Sequence, residues 1–270
     1  MWTIGRFEWR ITLRQKTSYV FLLLWTFVLL LIFMLVKSSP AITSYTNITG
    51  AAVNLLLYLL PLFMLIIGSF AVAAERENGQ WRLLTTYPIS SLSFLTGKLF
   101  GQLFAQSILF TLSFGISLSL ALIFQINIEL KWIMAVYVFA LLLLAVFLVI
   151  GIVLGSFSKG RWQALAGAVA IWFVMIMIWP TALISVLNLV PYPMISPLLQ
   201  GLLWVNPAEL LRVVFVVQMD GGSVFGQAYD KLVTFLRKDM AVLILAIYLV
   251  LFSGVLLFLS SWRLERSKGS

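Results

Sequence analysis

The chain has 270 residues, with 18 Lys or Arg, 9 Asp or Glu, and neither His nor Cys. Charged residues make up 10% and hydrophobic ones 62%, against roughly 25% charged in soluble domains, and the mean hydropathy is +1.08. A water-soluble fold of this length has too little interior to hide that much apolar surface, so the sequence reads as an integral membrane protein. The missing residue types exclude a thiolate nucleophile, an imidazole base, a disulfide and a conventional zinc site.

In chain order, Trp2–Lys16 mixes Trp2, Ile4, Phe7, Trp9, Ile11 and Leu13 with Arg6, Arg10, Arg14 and Lys16. That pattern predicts a helix in the membrane interface, within residues 1–18. Six apolar runs follow, each long enough for a hydrocarbon core of roughly 30 Å: Tyr19–Val36, Ala51–Ala74, Leu99–Ile123, Ile133–Phe157, Ala164–Leu187 and Met240–Trp262. The first is read as a span, because Lys37-Ser38-Ser39-Pro40 is a poor signal-cleavage site. Pro61 and Pro180 are expected to kink their helices.

Lys and Arg fall unevenly between the spans. The segments on the side of both termini hold 12 and those on the other side hold 6. The positive-inside rule therefore places both termini in the cytoplasm of a multi-pass inner-membrane protein. It also accounts for the net charge of +9 through anionic lipid head groups, with no nucleic acid required.

Between the fifth and sixth runs lies an external stretch over residues 188–239, where Pro191, Pro193 and Pro197 should prevent a continuous helix. Asn206-Pro207-Ala208-Glu209 then reads as a helix start, with Asn as cap and Pro at the first helical position. The helix should stop near Met219, at Asp220-Gly221-Gly222. Its middle is too apolar for water, which makes this insert a helical cap on the membrane face or against a partner. Asn206, Pro207, Glu209 and Arg212 are the candidate docking residues. Small residues recur at helix-packing intervals: Gly97 and Gly101, Gly151 and Gly155, Ala166 and Ala170.

No Asp, Glu, Lys or Arg lies within the six runs, which argues against a proton-coupled carrier. Gly97-Lys98 is followed by Leu99 where a phosphate loop needs Ser or Thr, so the chain carries no nucleotide-binding loop of that kind. Its scattered Met residues read as gap-filling lipophiles, and no metal site is expected. Asn47-Ile48-Thr49 matches the glycosylation pattern.

One cytoplasmic segment, residues 75–98, combines features in a fixed succession. Glu75, Arg76 and Glu77 end the second run, and Gly79 follows. An amphipathic stretch with Trp81, Arg82, Leu83 and Leu84 leads to Tyr87-Pro88-Ile89-Ser90, and Gly97-Lys98 opens the third run. This resembles the signature of ABC-2 type transporter permeases. The resemblance implies an all-α membrane fold of six transmembrane helices, an N-terminal interfacial helix and an external helical insert, with the whole chain forming one transmembrane domain. It implies that Glu75, Arg76, Glu77, Gly79, Trp81, Arg82, Leu84, Tyr87, Pro88, Ser90, Gly97 and Lys98 form a coupling element for a separate cytoplasmic ATPase. That ATPase would bind the ATP and Mg, leaving this chain non-catalytic and without a cofactor. A homodimer, or a heterodimer with a similar permease, and an extracytoplasmic accessory protein are implied as partners.

Within the family, Tyr87-Pro88-Ile89-Ser90 and Asn206–Arg212 most resemble the permeases that serve maturation of the copper centre of nitrous oxide reductase. Ser91 and Gln80 depart from the family pattern, where Arg and Thr are usual. Transport, by export, is the leading reading. A membrane scaffold or assembly factor that transports nothing is the alternative, and a lipid-modifying enzyme ranks last.

Overall fold

A computed structural model of the chain describes residues 2–37, 47–80, 90–126, 128–226 and 229–266. Every regular element among them is a helix. α1 covers Trp2–Arg14 and α2 Lys16–Lys37. α3 covers Asn47–Glu77, α4 Ser91–Ile123 and α5 Leu130–Phe157. The fifth span is composite: α6 (Arg161–Trp172), a π-helical stretch (Phe173–Ile178) and α7 (Trp179–Asn188). The insert holds α8 (Tyr192–Val205), α9 (Pro207–Gln218) and α10 (Asp230–Leu236), and α11 (Asp239–Arg266) ends the described chain.

Six helical stretches are long and apolar enough to cross a membrane: Lys16–Val36, Asn47–Glu77, Ser91–Ile123, Leu130–Phe157, Arg161–Asn188 and Met240–Arg266. They coincide with the six runs read from sequence. α3 and α4 outrun those readings, because a helix needs apolar residues only while it is in lipid and charged residues continue it outside. The predicted 24-residue loop over 75–98 is therefore shorter: Glu75, Arg76 and Glu77 are the last turn of α3, and Gly97 and Lys98 lie two turns inside α4. Gly79 follows α3 at φ 72°, a left-handed conformation that glycine adopts without steric cost.

α5 is the pillar of the bundle, and α3 packs along it more extensively than any other pair of elements. The two backbones nearly touch. A Cβ on Gly151 would lie 2.8 Å from the Leu65 carbonyl oxygen, and one on Gly68 would lie 2.7 Å from that of Leu148. Trp25, Phe33, Phe110 and Trp132 fill the interior around them. Ser113 and Ser117 of α4 donate to the carbonyls of Leu22 and Thr26 at 3.0 and 2.8 Å, bonding α4 to α2. Thr49 is fully buried and its hydroxyl accepts from the Trp132 indole at 3.3 Å, so the glycosylation-like triplet opens α3. α3 continues through Pro61, and the irregularity of span five is the π stretch just before Pro180.

The insert departs from the sequence reading at its prolines. Pro191 caps α8, Pro193 sits in the first turn where no intrahelical N–H partner exists, and Pro197 is inside the helix. Prolines at the cap and in the first turn are compatible with a helix start, whereas Pro197 costs α8 one backbone hydrogen bond and is tolerated. α9 begins and ends where expected, with Asn206 accepting from the Ala208 N–H at 3.0 Å and Asp220 at φ 58° closing it. α8 and α9 meet at 114°, a sharply bent pair.

Candidate functional site

The antiparallel spans bring five helix ends together beside α1. These are the C-terminal ends of α3, α5 and α11, and the N-terminal ends of α4 and α6, around the residues flanking 81–89. At the centre is Lys98. Its Nζ lies 3.0 Å from Glu8 Oε2 and 2.7 Å from Glu75 Oε1, with the Lys98 side chain only 3% exposed. α1 reaches this point because Gly5 and Gly101 allow close approach: a Cβ on Gly101 would meet the Gly5 carbonyl oxygen at 2.7 Å. Gln102, one turn beyond Lys98, donates to Glu8 Oε1 at 2.9 Å and to Thr12 Oγ1 at 3.0 Å. One cation between two carboxylates thus ties α1, α3 and α4. A pair this buried gains from its partner and from the extra hydrogen bonds together.

The neighbouring residues bind outward. Arg76 donates to the Ser156 carbonyl at the end of α5, and Ser156 Oγ accepts from Ser260 of α11 at 2.6 Å. Glu77 Oε2 accepts from the Arg161 backbone N–H at 2.8 Å. It thereby caps α6 where the helix dipole favours a carboxylate. Gly160 gives it room, since a Cβ there would sit 3.3 Å from that oxygen. On the other side of the loop, Ser90 caps α4 by accepting from Ser93 N–H at 3.2 Å, and the Ser91 N–H donates to Glu265 Oε1 of α11 at 2.9 Å. Both stems of residues 78–90 are bonded into spans that are far apart in sequence.

Of the residues assigned to coupling from sequence, Glu75, Arg76, Glu77, Ser90, Gly97 and Lys98 meet at this end. Trp81, Arg82, Leu84, Tyr87 and Pro88 lie outside the described residues. Sequence reasoning missed Glu8, Thr12, Arg161, Ser156, Ser260 and Glu265. Glu8 carried a usable signal, as the only acid among four cations in residues 2–16; the others had none.

At the opposite end, Asn206 and Pro207 are buried, as is Glu209 at 5% exposure. Asn206 turns its amide N–H₂ onto the Met175 carbonyl at 2.7 Å, inside the π stretch. A π turn displaces backbone carbonyls from the regular ladder, and the Asn side chain satisfies this one. Glu209 and Arg212 hold each other through two hydrogen bonds, one of 3.0 Å. All four predicted docking residues are therefore buried or bonded within the chain, and Arg212 alone is partly exposed.

The sequence compares with known proteins over nearly its whole length. It is 26% identical over 258 residues to the probable ABC transporter permease protein NosY of Pseudomonas aeruginosa, covering 93% of this chain and 92% of that one. It is 27% identical over 234 residues to the probable NosY permease of Stutzerimonas stutzeri, covering 84% and 85%. The family model for ABC-2 family transporter proteins matches residues 2–268. With its six spans, the chain is a multi-pass membrane protein, the permease subunit of an ABC transporter whose ATPase is a separate subunit; it belongs to the ABC-2 transporter family.

Proposed function

We propose that the chain is the membrane half of an exporter that takes up force at the Lys98 end and carries it into spans five and six. The observation that supports this most is the bonding of both loop stems. Glu77 holds the start of α6 and Glu265 holds the start of α4, while Lys98 fastens α1 and α3 to the same point. A push on residues 78–90 therefore reaches several helices through short bonds instead of dissipating in a slack tether. This end is cytoplasmic, by the excess of Lys and Arg there. The ATPase contacts are Trp81, Arg82, Leu84, Tyr87 and Pro88 between those stems. The transporter is a homodimer with two ATPase subunits, and ATP and Mg are bound by those subunits. At the outer end, Arg212, partly exposed and paired with Glu209 on α9, is the point offered to an accessory protein. By its likeness to the NosY permeases, the system serves copper-centre maturation. Lacking His and Cys, this chain leaves any copper ligation to partners or to Met.

The test is recovery of partners with the tagged chain from its native membrane in mild detergent. An ATP-binding-cassette protein should accompany the chain and be lost in the Glu77→Ala/Tyr87→Ala double variant, with membrane insertion unchanged. Full recovery of the ATPase with that variant would overturn the placement of the coupling contacts. Recovery of the chain alone in every preparation would favour the scaffold reading.

A further inference from the structure

A groove of about 820 Å³ runs between α1 and the first half of α4, lined by Trp2, Arg6, Trp9, Phe100, Phe104 and Ser107 among others. Its floor is the crossing of Gly5 over Gly97 and Gly101, and Trp9 meets Phe104 edge to face at 5.3 Å. From Gly97 to Ser107 α4 rises about 15 Å, half of the ~30 Å hydrocarbon core. The groove is therefore one leaflet long. Beside Gly5, at the Gly97 end, stands Arg6, exposed and without an acidic partner among the described residues. The nearby Lys98 is already taken by Glu8 and Glu75.

We infer that this groove binds an anionic phospholipid, one acyl chain lying against the aromatic walls and its phosphate held by Arg6. Apolar walls favour a methylene chain by excluding water, and the planar guanidinium suits a phosphate oxygen pair. A second copy of the chain fits less well. Arg6, Arg10 and Arg14 recur at four-residue intervals on exposed positions of α1, and a two-fold contact through this face would set that stripe against itself. The site is independent of the ATPase, so its failure would leave the permease reading untouched.

The full chain is equilibrated in nanodiscs of equimolar dioleoyl phosphatidylglycerol and phosphatidylcholine, released, and its retained lipids are counted by native mass spectrometry. The wild type should keep one phosphatidylglycerol per chain in preference to phosphatidylcholine. Arg6→Gln should weaken that preference about tenfold, the loss of one charged hydrogen-bonding contact. Arg14→Gln, on the same helix but outside the groove, should not. Ser107→Trp should expel both lipids by filling the inner end. If its detergent melting temperature shows that it has not folded, Phe100→Ala, which removes a wall, reads the same loss. Equal effects of Arg6→Gln and Arg14→Gln would reduce the site to diffuse charge attraction and overturn the inference. So would unchanged lipid counts in the groove variants, or dissociation of a dimer with lipid retention intact.

Discussion

The α3–α5 seam and the fifth span are written in the same small, apolar residues, yet they are held in opposite ways. Two thirds of the spanning window of α5 is buried (67%), against 11% for Arg161–Asn188. In the seam, glycine brings backbone onto backbone: a Cβ on Gly155 would collide with the Ser69 carbonyl oxygen. In α6 the comparable Gly167 faces only the end of the Leu154 side chain, and Ala166 and Ala170 are exposed. The fifth span lies along α3 through one narrow face of α6, where Ala164 and Ala168 are buried, and is bonded at three points: Glu77 at the Arg161 N–H, the Trp172 indole on the Tyr58 carbonyl at 2.7 Å, and Asn206 on the Met175 carbonyl. Small-residue spacing by itself therefore does not mark a sliding surface. Where the neighbour is backbone it locks two helices, and where the neighbour is a side chain or lipid it leaves them separable.

If the α1–α3–α4 joint belongs to the rigid part, breaking it should cost the most. Lys98→Ala would leave the Glu8 and Glu75 carboxylates buried side by side without their cation. The expected loss is about 3–5 kcal/mol, the cost of removing one partner from a buried ion pair, read as a sharply lower melting temperature in detergent or as failure to accumulate in the membrane. The triple variant Lys98→Met/Glu8→Gln/Glu75→Gln removes the charges together and should recover much of it. A melting curve for Lys98→Ala that matches the wild type would mean that the joint contributes nothing. Next in size is Gly155→Ala, where even a methyl must displace the α3 backbone. It should destabilise by about 1–3 kcal/mol, which thermal unfolding followed by circular dichroism would detect.

The same contrast explains what could be read from the sequence. The six spans were legible because a membrane helix needs about 20 apolar residues in a row. The bounds of α9 were legible because Asn206-Pro207 and Asp220-Gly221 are local signals that act within one turn. The joint at Lys98 was not, because Glu8 and Glu75 reach it from distant parts of the chain and only the Gly5–Gly101 crossing brings α1 into range. Glu265 at the Ser91 N–H is hidden for the same reason. Pro191 and Pro193 misled because a proline costs little at the cap or in the first turn, and their place relative to the helix start was unknown until that start was fixed.

Asn206→Ala tests one of the point attachments. It removes the cap on α9 and leaves the Met175 carbonyl of the π stretch without this donor. Loss of such a cap costs typically about 1 kcal/mol and reaches about 2, so the melting temperature should fall by less than in Gly155→Ala. Because the bond joins the insert to span five, amide hydrogen exchange should quicken at residues 173–178 and at the start of α9, while the α3–α5 seam keeps its protection. Faster exchange spread evenly over the bundle would mean that span five is part of the rigid core after all.

The smallest effect should come from Gly167→Ala, and its sign is the informative part. The added methyl meets Leu154 Cδ1 at 2.8 Å, but that atom ends a flexible side chain and can turn aside by a rotamer change. Against this small cost stands the gain from replacing glycine inside a helix, roughly 0.5–1 kcal/mol. The net should be neutral to slightly stabilising, opposite in direction to the identical substitution at Gly155. Measured together by thermal unfolding in one detergent, the two variants separate the packing models directly. If both destabilise alike, α6 is locked against α5 as tightly as α3 is, and a fifth span free to shift relative to α5 is lost as the route by which force crosses the membrane.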